Sequence, residues 1–102
     1  MTNEVVLFGT GTLAEVVNFY LENDSNYDVV GFTADSEYIN NKTFDGKPLY
    51  PFEDITEKYP PKQYDMFIAV GYRDMNRLRA KKFEEAKNKG YDLISYVNSE
   101  IT

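Results

Sequence analysis

Two glycines separated by one residue follow directly on a short apolar run, and this feature most constrains the fold. The run is Val5–Phe8, the glycines are Gly9 and Gly11, and a helical pattern of apolar residues begins at Leu13. An uninterrupted apolar run is typical of a strand buried on both faces of a parallel sheet. Glycine permits a sharp turn and close approach of a ligand, and the next helix presents N–H groups that attract anions. The pattern predicts a phosphate site, although a tight strand-to-helix turn can use glycine for packing alone.

Strand and helix patterns alternate along the rest of the chain. Further strands are predicted at Tyr27–Thr33, Lys47–Tyr50, Met66–Val70 and Leu93–Val97, and helices from the cap Thr12, over Pro51–Tyr59, and from the cap Asp74 to the stop Gly90. Pro48 predicts that Lys47–Tyr50 lies at a sheet edge, and Ala34–Gly46 is expected to be a long loop. The alternation favours parallel βαβ units. We therefore predict an α/β fold, a small doubly wound, mainly parallel sheet in three α/β/α layers, with residues 1–102 forming one domain.

Composition excludes several classes of function. The chain has neither cysteine nor histidine, which excludes thiolate chemistry, zinc–thiolate sites and the commonest general base near neutral pH. The formal net charge of −6 argues against nucleic-acid and membrane partners, because both need a basic surface. No apolar stretch approaches the ~20 residues of a membrane span, the start does not suit a signal peptide, and the acidic residues form no metal pattern. We predict a cytoplasmic protein that binds a small molecule, without a metal.

Candidate binding residues are expected at one end of the sheet. In a doubly wound sheet of this kind, the first strand and Met66–Val70 are neighbours, and ligands bind beyond the carboxyl ends of the strands at that switch point. Three segments should therefore converge: Gly9–Ala14, Thr33–Asp35 and Gly71–Arg77. The candidate binding residues are Gly9, Gly11, Thr12, Leu13, Asp35, Gly71, Tyr72, Asn76 and Arg77.

Most of these residues also have an ordinary structural interpretation. Asp35 stands where an acidic residue bonds ribose hydroxyls in dinucleotide sites, but a solvated loop carboxylate is an equal alternative. Arg77 suits forked contacts with phosphate, Asn76 could donate to a ligand, and Tyr72 could stack on a base or pack at the rim of the core. In the last helix, the expected buried residues are Met75, Leu78, Phe83 and Ala86, and the expected solvated ones are Arg79, Lys81 and Lys82.

Six segments in order resemble the N-terminal domain of bacterial sugar O- or N-acyltransferases of the sialic-acid O-acetyltransferase and UDP-amino-sugar acetyltransferase type. They are V-V-L-F-G-T-G-T-L-A-E-V-V from Val5, V-V-G-F-T-A-D from Val29, G-K-P-L-Y-P-F-E-D from Gly46, Y-D-M-F-I-A-V-G-Y from Tyr64, N-R-L-R-A-K-K-F from Asn76 and K-G-Y-D-L-I-S-Y-V from Lys89. The resemblance covers nearly the whole chain from Glu4 onward.

The resemblance implies a Rossmann-like domain that holds a nucleotide-sugar acceptor for the synthesis of bacterial surface glycans. It implies that a following left-handed β-helix of hexapeptide repeats binds acetyl-CoA, forms a homotrimer and supplies the catalytic histidine. The present chain is then the N-terminal part of such an enzyme, with no cofactor and no catalytic residue of its own. Two departures concern the glycine turn: Thr12-Leu13 stands where many relatives carry Gly-His, and Ala14 replaces the third glycine.

Two other functions stay open on the sequence. One is an NAD(P)-binding domain of an oxidoreductase or redox sensor, in which Asp35 would favour NAD over NADP. The other is a degenerate Rossmann-like domain kept for assembly. The chain offers one half of a full dinucleotide fold with a short extension, and this capacity favours a mononucleotide or nucleotide-sugar ligand over NAD.

Overall fold

A computed structural model of the protein describes residues 3–24, 27–69 and 76–94. Within these ranges the strands are β1 (Asn3–Phe8), β2 (Tyr27–Ala34), β3 (Thr43–Phe44), β4 (Lys47–Pro51) and β5 (Asp65–Ile68). The helices are α1 (Thr12–Asp24), α2 (Ile55–Lys58) and α3 (Asn76–Asn88), with short 3₁₀ turns at Ser36–Tyr38 and Phe52–Asp54. Strands and helices alternate as the sequence pattern predicts, except that β3 and β4 follow β2 with no α-helix between them.

The strands form one mixed sheet in the order β3-β4-β2-β1-β5. β1 pairs in parallel with both β2 and β5, β4 pairs in parallel with β2, and β3 alone among these pairings runs antiparallel. The mainly parallel sheet and the predicted neighbourhood of β1 and β5 are confirmed. Leu93 adds a single parallel bridge to Met66 beyond β5; the rest of the strand predicted at Leu93–Val97 lies mostly outside the described residues.

Side chains of β1 alternate between two apolar clusters, one on each face of the sheet. Val5 and Leu7 belong to the cluster that α1 covers with Ala14, Val17 and Leu21. Val6 and Phe8 belong to the opposite cluster, which contains Phe52 and Ile55, Tyr59, Met66, Ile68, Ala86 and Tyr91. All four β1 side chains are buried because helices lie on both faces. The predicted three-layer α/β/α arrangement is therefore confirmed.

The predicted edge position of Lys47–Tyr50 is wrong. β4 lies between β2 and β3, and the edge strand is Thr43–Phe44, within the stretch predicted as a loop. The two-residue turn Asp45-Gly46, with φ of 51° and 80°, folds β3 back onto β4. Positive φ at both positions is the geometry of the tight hairpin that matches the strand twist. Pro48 is tolerated because the bond towards the β3 side comes from the Leu49 N–H to the Lys42 carbonyl and the pairing with β2 begins only at Leu49.

The buried face of α3 differs from the predicted one. Ala86 is fully buried as expected, but Phe83 is 40% exposed and Lys82 only 7% exposed. Lys82 and Ala86 are four residues apart and therefore share the face that meets the sheet. Met75 lies outside the described residues, and the side chains of Leu78 and Arg79 are not described either. The helix ends at Asn88, and the predicted stop Gly90 follows two residues later with a φ of 103°.

Candidate functional site

The glycine turn lies between the carboxyl ends of three parallel strands. The Gly9 N–H donates to the Thr33 carbonyl at the end of β2 (2.9 Å), and the Ala69 N–H donates to the Phe8 carbonyl (2.8 Å). β1 therefore leaves the sheet with hydrogen bonds to neighbours on both sides. This is the switch point at which ligands of doubly wound folds bind.

Gly9 is required by the packing of the fold. Its φ is +135°, and a Cβ at this position would lie 2.6 Å from the carbonyl oxygen of Ala69. The same Cβ would lie 3.7 Å from the Cβ of Ala14, so the turn also brings α1 close against the sheet. Both the backbone angle and the lack of space exclude a larger residue. The packing of the strand-to-helix turn is therefore sufficient to explain why glycine stands at position 9.

Gly11 has no such internal requirement. A Cβ there would meet no atom within 4 Å, and its φ lies outside the left-handed region. The Gly11 carbonyl accepts the first bond of α1 from the Glu15 N–H (3.2 Å). Gly11 therefore holds the cap position that the sequence predicted for Thr12, which is the first helical residue. The surface beside Gly11 is open to a ligand that needs close approach to the backbone.

The two residues after Gly11 differ in their exposure. Thr12 is exposed, so its N–H and hydroxyl at the start of α1 face solvent or a ligand. Leu13 is half-buried and packs against the apolar cluster under α1. The departure Thr12-Leu13 thus offers one polar group at the turn and one apolar side chain that anchors the helix.

Asp35 follows β2 directly and is paired with a buried lysine from α3. The Lys82 ammonium donates to Asp35 Oδ1 (2.7 Å) and to Glu85 Oε1 (2.9 Å). Its nitrogen also lies 5.6 Å from the ring centre of Phe8 and 5.1 Å from that of Phe52. The expectation that Lys82 forms a solvated helix face is therefore wrong. The local signal that could have placed it is its spacing of four residues from both Leu78 and Ala86; its partner Asp35 lies 47 residues earlier in the chain.

The environment of Lys82 favours its charged form. Burial alone would lower its pKa, but the hydrogen bonds to Asp35 and Glu85, with the charges of the two carboxylates, outweigh burial and raise the pKa. An ammonium over two aromatic faces gains a further attraction to the ring quadrupoles. Lys82 is thus a fixed cation held between two acids and two rings.

Lys82 and Asp35 lie in an open cleft of about 690 Å³ on the α3 side of the sheet. The lining residues are Asp35, Ser36, Glu37, Phe52, Glu53, Lys82, Glu85, Asn88 and Lys89. Phe52 meets Phe8 edge-on, with ring centres 5.0 Å apart, and carries a second ammonium, that of Lys89, at 5.0 Å. The volume lies within the range of small-molecule sites, and four of the nine lining side chains carry carboxylates.

The rim of this cleft also holds a carboxylate whose ionised form is favoured. The Ser36 N–H donates to Glu53 Oε1 (3.3 Å). Hydrogen bonds from Ser36 are the main cause that lowers the pKa of Glu53. The contact joins the 3₁₀ turn after β2 to the 3₁₀ turn after β4. Together with α3, these turns make three separate parts of the chain that line the cleft.

Two of the three predicted segments meet at this edge of the sheet. Gly9–Ala14 and Thr33–Asp35 are joined through the bond from Gly9 to Thr33. Gly71 and Tyr72 lie outside the described residues, and the side chains of Asn76 and Arg77 at the start of α3 are likewise not described. Sequence reasoning identified Asp35 but missed its partner Lys82 and the ring of Phe52 beneath it.

Neither a membrane-spanning helix nor a metal-binding cluster occurs in the part of the chain that the structure describes. None of its helices is long and apolar enough to cross a membrane. No group of three or more acidic side chains in the same ranges is arranged to hold a metal ion.

The mainly parallel sheet, with the glycine turn at its switch point and helices on both faces, defines a domain of Rossmann-like fold. The chain belongs to the PglD N-terminal domain family, whose pattern matches residues 4–86. This match confirms the resemblance drawn from the six sequence segments. No curated protein sequence matches the chain significantly.

Solved structures share the fold at low sequence identity. The acetyltransferase domain of PglB from Neisseria gonorrhoeae, in complex with acetyl coenzyme A, is 21% identical with a TM-score of 0.66, and the match covers 89% of this chain and 42% of that one. UDP-D-quinovosamine 4-dehydrogenase from Vibrio fischeri is 13% identical, with a TM-score of 0.77 and coverage of 98% and 82%. Aspartate semialdehyde dehydrogenase II from Vibrio cholerae is 21% identical, with a TM-score of 0.62 and coverage of 96% and 32%. The chain thus spans about two fifths of the gonococcal acetyltransferase domain.

Proposed function

We propose that this chain binds the nucleotide-sugar acceptor of a sugar O- or N-acetyltransferase. The observation that carries the proposal is the family match over residues 4–86. The gonococcal acetyltransferase domain, at 21% identity, agrees with this assignment in its fold alone. The reaction would serve the synthesis of bacterial surface glycans in the cytoplasm, where activated sugars and acetyl-CoA are available.

The geometry supports distinct roles for the residues at the switch point. The exposed start of α1 at Gly11 and Thr12 offers backbone N–H groups and the positive end of the helix dipole to the diphosphate. Asp35, whose side chain is 25% exposed, would accept hydrogen bonds from the ribose hydroxyls. Gly9 shapes the turn, and Leu13 anchors α1 beneath it.

The candidates near the start of α3 complete the proposed site. Asn76 and Arg77 would hold the sugar or a phosphate, and Gly71 and Tyr72 would border the ligand. These four assignments rest on the topology, because β5 lies next to β1 and the two parallel strands end at the same edge of the sheet.

The chemistry of the whole enzyme would take place outside this chain. The acceptor's amine or hydroxyl would attack the thioester carbonyl of acetyl-CoA, with a base supplied by another part of the protein, because this chain contains no histidine. We propose that this other part is the hexapeptide-repeat β-helix of the family, which would also form the homotrimer. The present chain would contribute by orienting the acceptor, and orientation alone lowers a reaction barrier.

Calorimetric titration of the 102-residue chain tests this function. The ligands are UDP-, CMP- and GDP-sugars, with NAD⁺ and acetyl-CoA in parallel. We expect saturable binding of one sugar nucleotide and no binding of acetyl-CoA. Tight binding of NAD⁺ without any response to sugar nucleotides would instead support an oxidoreductase or redox-sensor domain. No response to any ligand would indicate a degenerate domain kept for assembly.

The NAD(P) alternative has one specific observation in its favour. Two of the structures that share the fold are dehydrogenases, one of which covers 98% of this chain. Their identities of 13% and 21% support a common fold only. Asp35 would favour NAD over NADP in such a site, because a 2′-phosphate would meet its negative charge.

A further inference from the structure

Lys82 is buried, and burying a lysine ammonium costs free energy unless hydrogen-bonding or charged partners compensate. Lys82 is 7% exposed, and its ammonium bonds one oxygen of Asp35 and one of Glu85. The rings of Phe8 and Phe52 lie within 5.6 Å of the same nitrogen. An ammonium has three N–H donors, and two of those of Lys82 are used by these carboxylates. These contacts therefore fix the position of the Lys82 ammonium as well as the positions of the two carboxylates.

The contact with Asp35 leaves part of that carboxylate available. Lys82 bonds Oδ1 at 2.7 Å, and the Asp35 side chain keeps a quarter of its surface exposed. A carboxylate has two oxygens and about four acceptor positions. A bond to one oxygen from a buried, immobile donor restricts rotation of the group and gives the second oxygen a preferred direction. Fixed orientation is what a hydrogen-bonding site for a sugar hydroxyl requires.

We propose that Lys82 is a positioning residue that orients the Asp35 carboxylate for a ribose hydroxyl of the bound nucleotide. The inference rests on the proposed function, because it takes a ribonucleotide as the ligand of Asp35. Lys82 acts through Asp35 and does not touch the ligand. Both residues line the open cleft, but the Lys82 side chain is 8% exposed and that of Asp35 is 25% exposed, so Asp35 offers a ligand the larger surface.

The test compares ribose with deoxyribose. Calorimetric titration of the 102-residue chain uses UDP, CDP and GDP, each with its 2′-deoxy counterpart, and continues with the pair that binds most tightly. In the wild type we expect the ribonucleotide to bind about ten- to a hundredfold more tightly, as a hydrogen bond to a charged group implies. In Lys82→Met this ratio should fall below about threefold, with little change for the deoxynucleotide. Asp35→Asn should lower the ratio similarly, and the double variant should add no further loss, since the two residues act as one unit.

Matched variants separate positioning from charge and from folding. Lys81→Met removes the same charge from an exposed neighbour on α3 and should keep the wild-type ratio. If Lys82→Met does not fold by far-ultraviolet circular dichroism, Lys82→Gln replaces it, because the amide keeps a polar group at the buried position but is uncharged and one bond shorter, so it does not reproduce the bond to Asp35 Oδ1. A fall in the ratio in that variant supports the inference, and an unchanged ratio overturns it.

The outcomes also separate this inference from the proposed function. A Lys82→Met variant that keeps the wild-type ratio, or loses affinity equally for both sugars, overturns the positioning role while nucleotide binding stands. A wild type that binds both sugars equally overturns it as well, because Asp35 then reads no ribose hydroxyl. A wild type that binds none of the nucleotides contradicts the proposed function, and the inference falls with it.

Discussion

The glycine turn and the Asp35–Lys82 cleft lie at the same edge of the sheet but are built on different principles. The turn is formed by consecutive residues, and its shape comes from the backbone: Gly9 fits between the ends of β2 and β5 because it has no side chain. The cleft is formed by side chains from three distant segments, with Phe52 as its floor and two ion pairs above. The turn is therefore sensitive to any atom added at Gly9, whereas the cleft is sensitive to the loss of side-chain partners.

The largest expected effect is that of Gly9→Ala. The new Cβ would lie 2.6 Å from the Ala69 carbonyl oxygen at a φ of +135°. Strained backbone costs about 1–3 kcal/mol, and forced overpacking costs about the same again. We expect the free energy of unfolding in urea to fall by roughly 2–6 kcal/mol, the sum of these two ranges.

Gly11→Ala is the matched control for this loss of stability. The same methyl group is added two residues later, where it meets no atom within 4 Å. We expect a change in the free energy of unfolding of at most about 1 kcal/mol, as for the exchange of glycine for alanine at a helix cap. Equal losses in the two variants would show that the two glycines do not differ in their structural role.

The second prediction concerns Gly11→Val and the function of the turn. The branched side chain would occupy the open surface beside the start of α1, where we propose that the diphosphate binds. We expect the chain to stay folded while sugar-nucleotide affinity falls at least about tenfold, because each charge-assisted hydrogen bond contributes about 1.5–3 kcal/mol. Calorimetry measures the affinity, and circular dichroism verifies the fold. Unchanged affinity would exclude this turn as the phosphate site.

The same contrast explains how much of the structure the sequence could predict. Val5–Phe8 and the turn after it depend on neighbours in the sequence, so their burial and the position of the switch point were predicted correctly. Lys82 depends on a carboxylate 47 residues away, and sequence alone assigned it to solvent. The Thr43–Phe44 edge strand was missed because two residues carry no detectable strand period.

The third prediction tests the side-chain contacts that support the cleft. The buried Tyr91 hydroxyl donates to the carbonyl of Tyr59 at the end of α2. Tyr91→Phe would leave that carbonyl without its donor, at an expected cost of about 1–3 kcal/mol. Hydrogen exchange should increase in α2 and α3, on the cleft side, more than in α1 behind the glycine turn. Equal increases on both sides would contradict the separate support of the two regions.

The ionisation of Tyr91 also makes the free energy of unfolding depend on pH in the alkaline range. Burial raises its pKa to about 12, against about 10 for an unperturbed tyrosine. The folded state therefore retains the proton after the unfolded state has lost it, so this contribution to stability is complete below pH ~10 and is lost as the pH rises towards 12. Urea unfolding across this range should show a smaller decline in Tyr91→Phe than in the wild type. A decline of the same size in both would contradict a raised pKa for Tyr91.

The smallest effect is expected at the opposite end of the sheet, for Asp65→Asn. Asp65 begins β5, and its pKa is raised by burial first and by the charge of Asp92 second. A carboxyl that holds its proton more tightly when folded makes ionisation favour the unfolded state, so the native charge is destabilising at neutral pH. We expect the variant to gain less than about 1 kcal/mol at pH 7. The gain should begin to fall as the pH falls through the raised pKa of Asp65 and should vanish below the ordinary pKa of an aspartate, where the carboxyl is neutral in both the folded and the unfolded state. Because Asp65 lies at the amino end of β5, nucleotide affinity should not change in this variant. A change in affinity would mean that binding follows the stability of the whole domain. The losses of affinity predicted for the turn and the cleft could not then be assigned to local contacts.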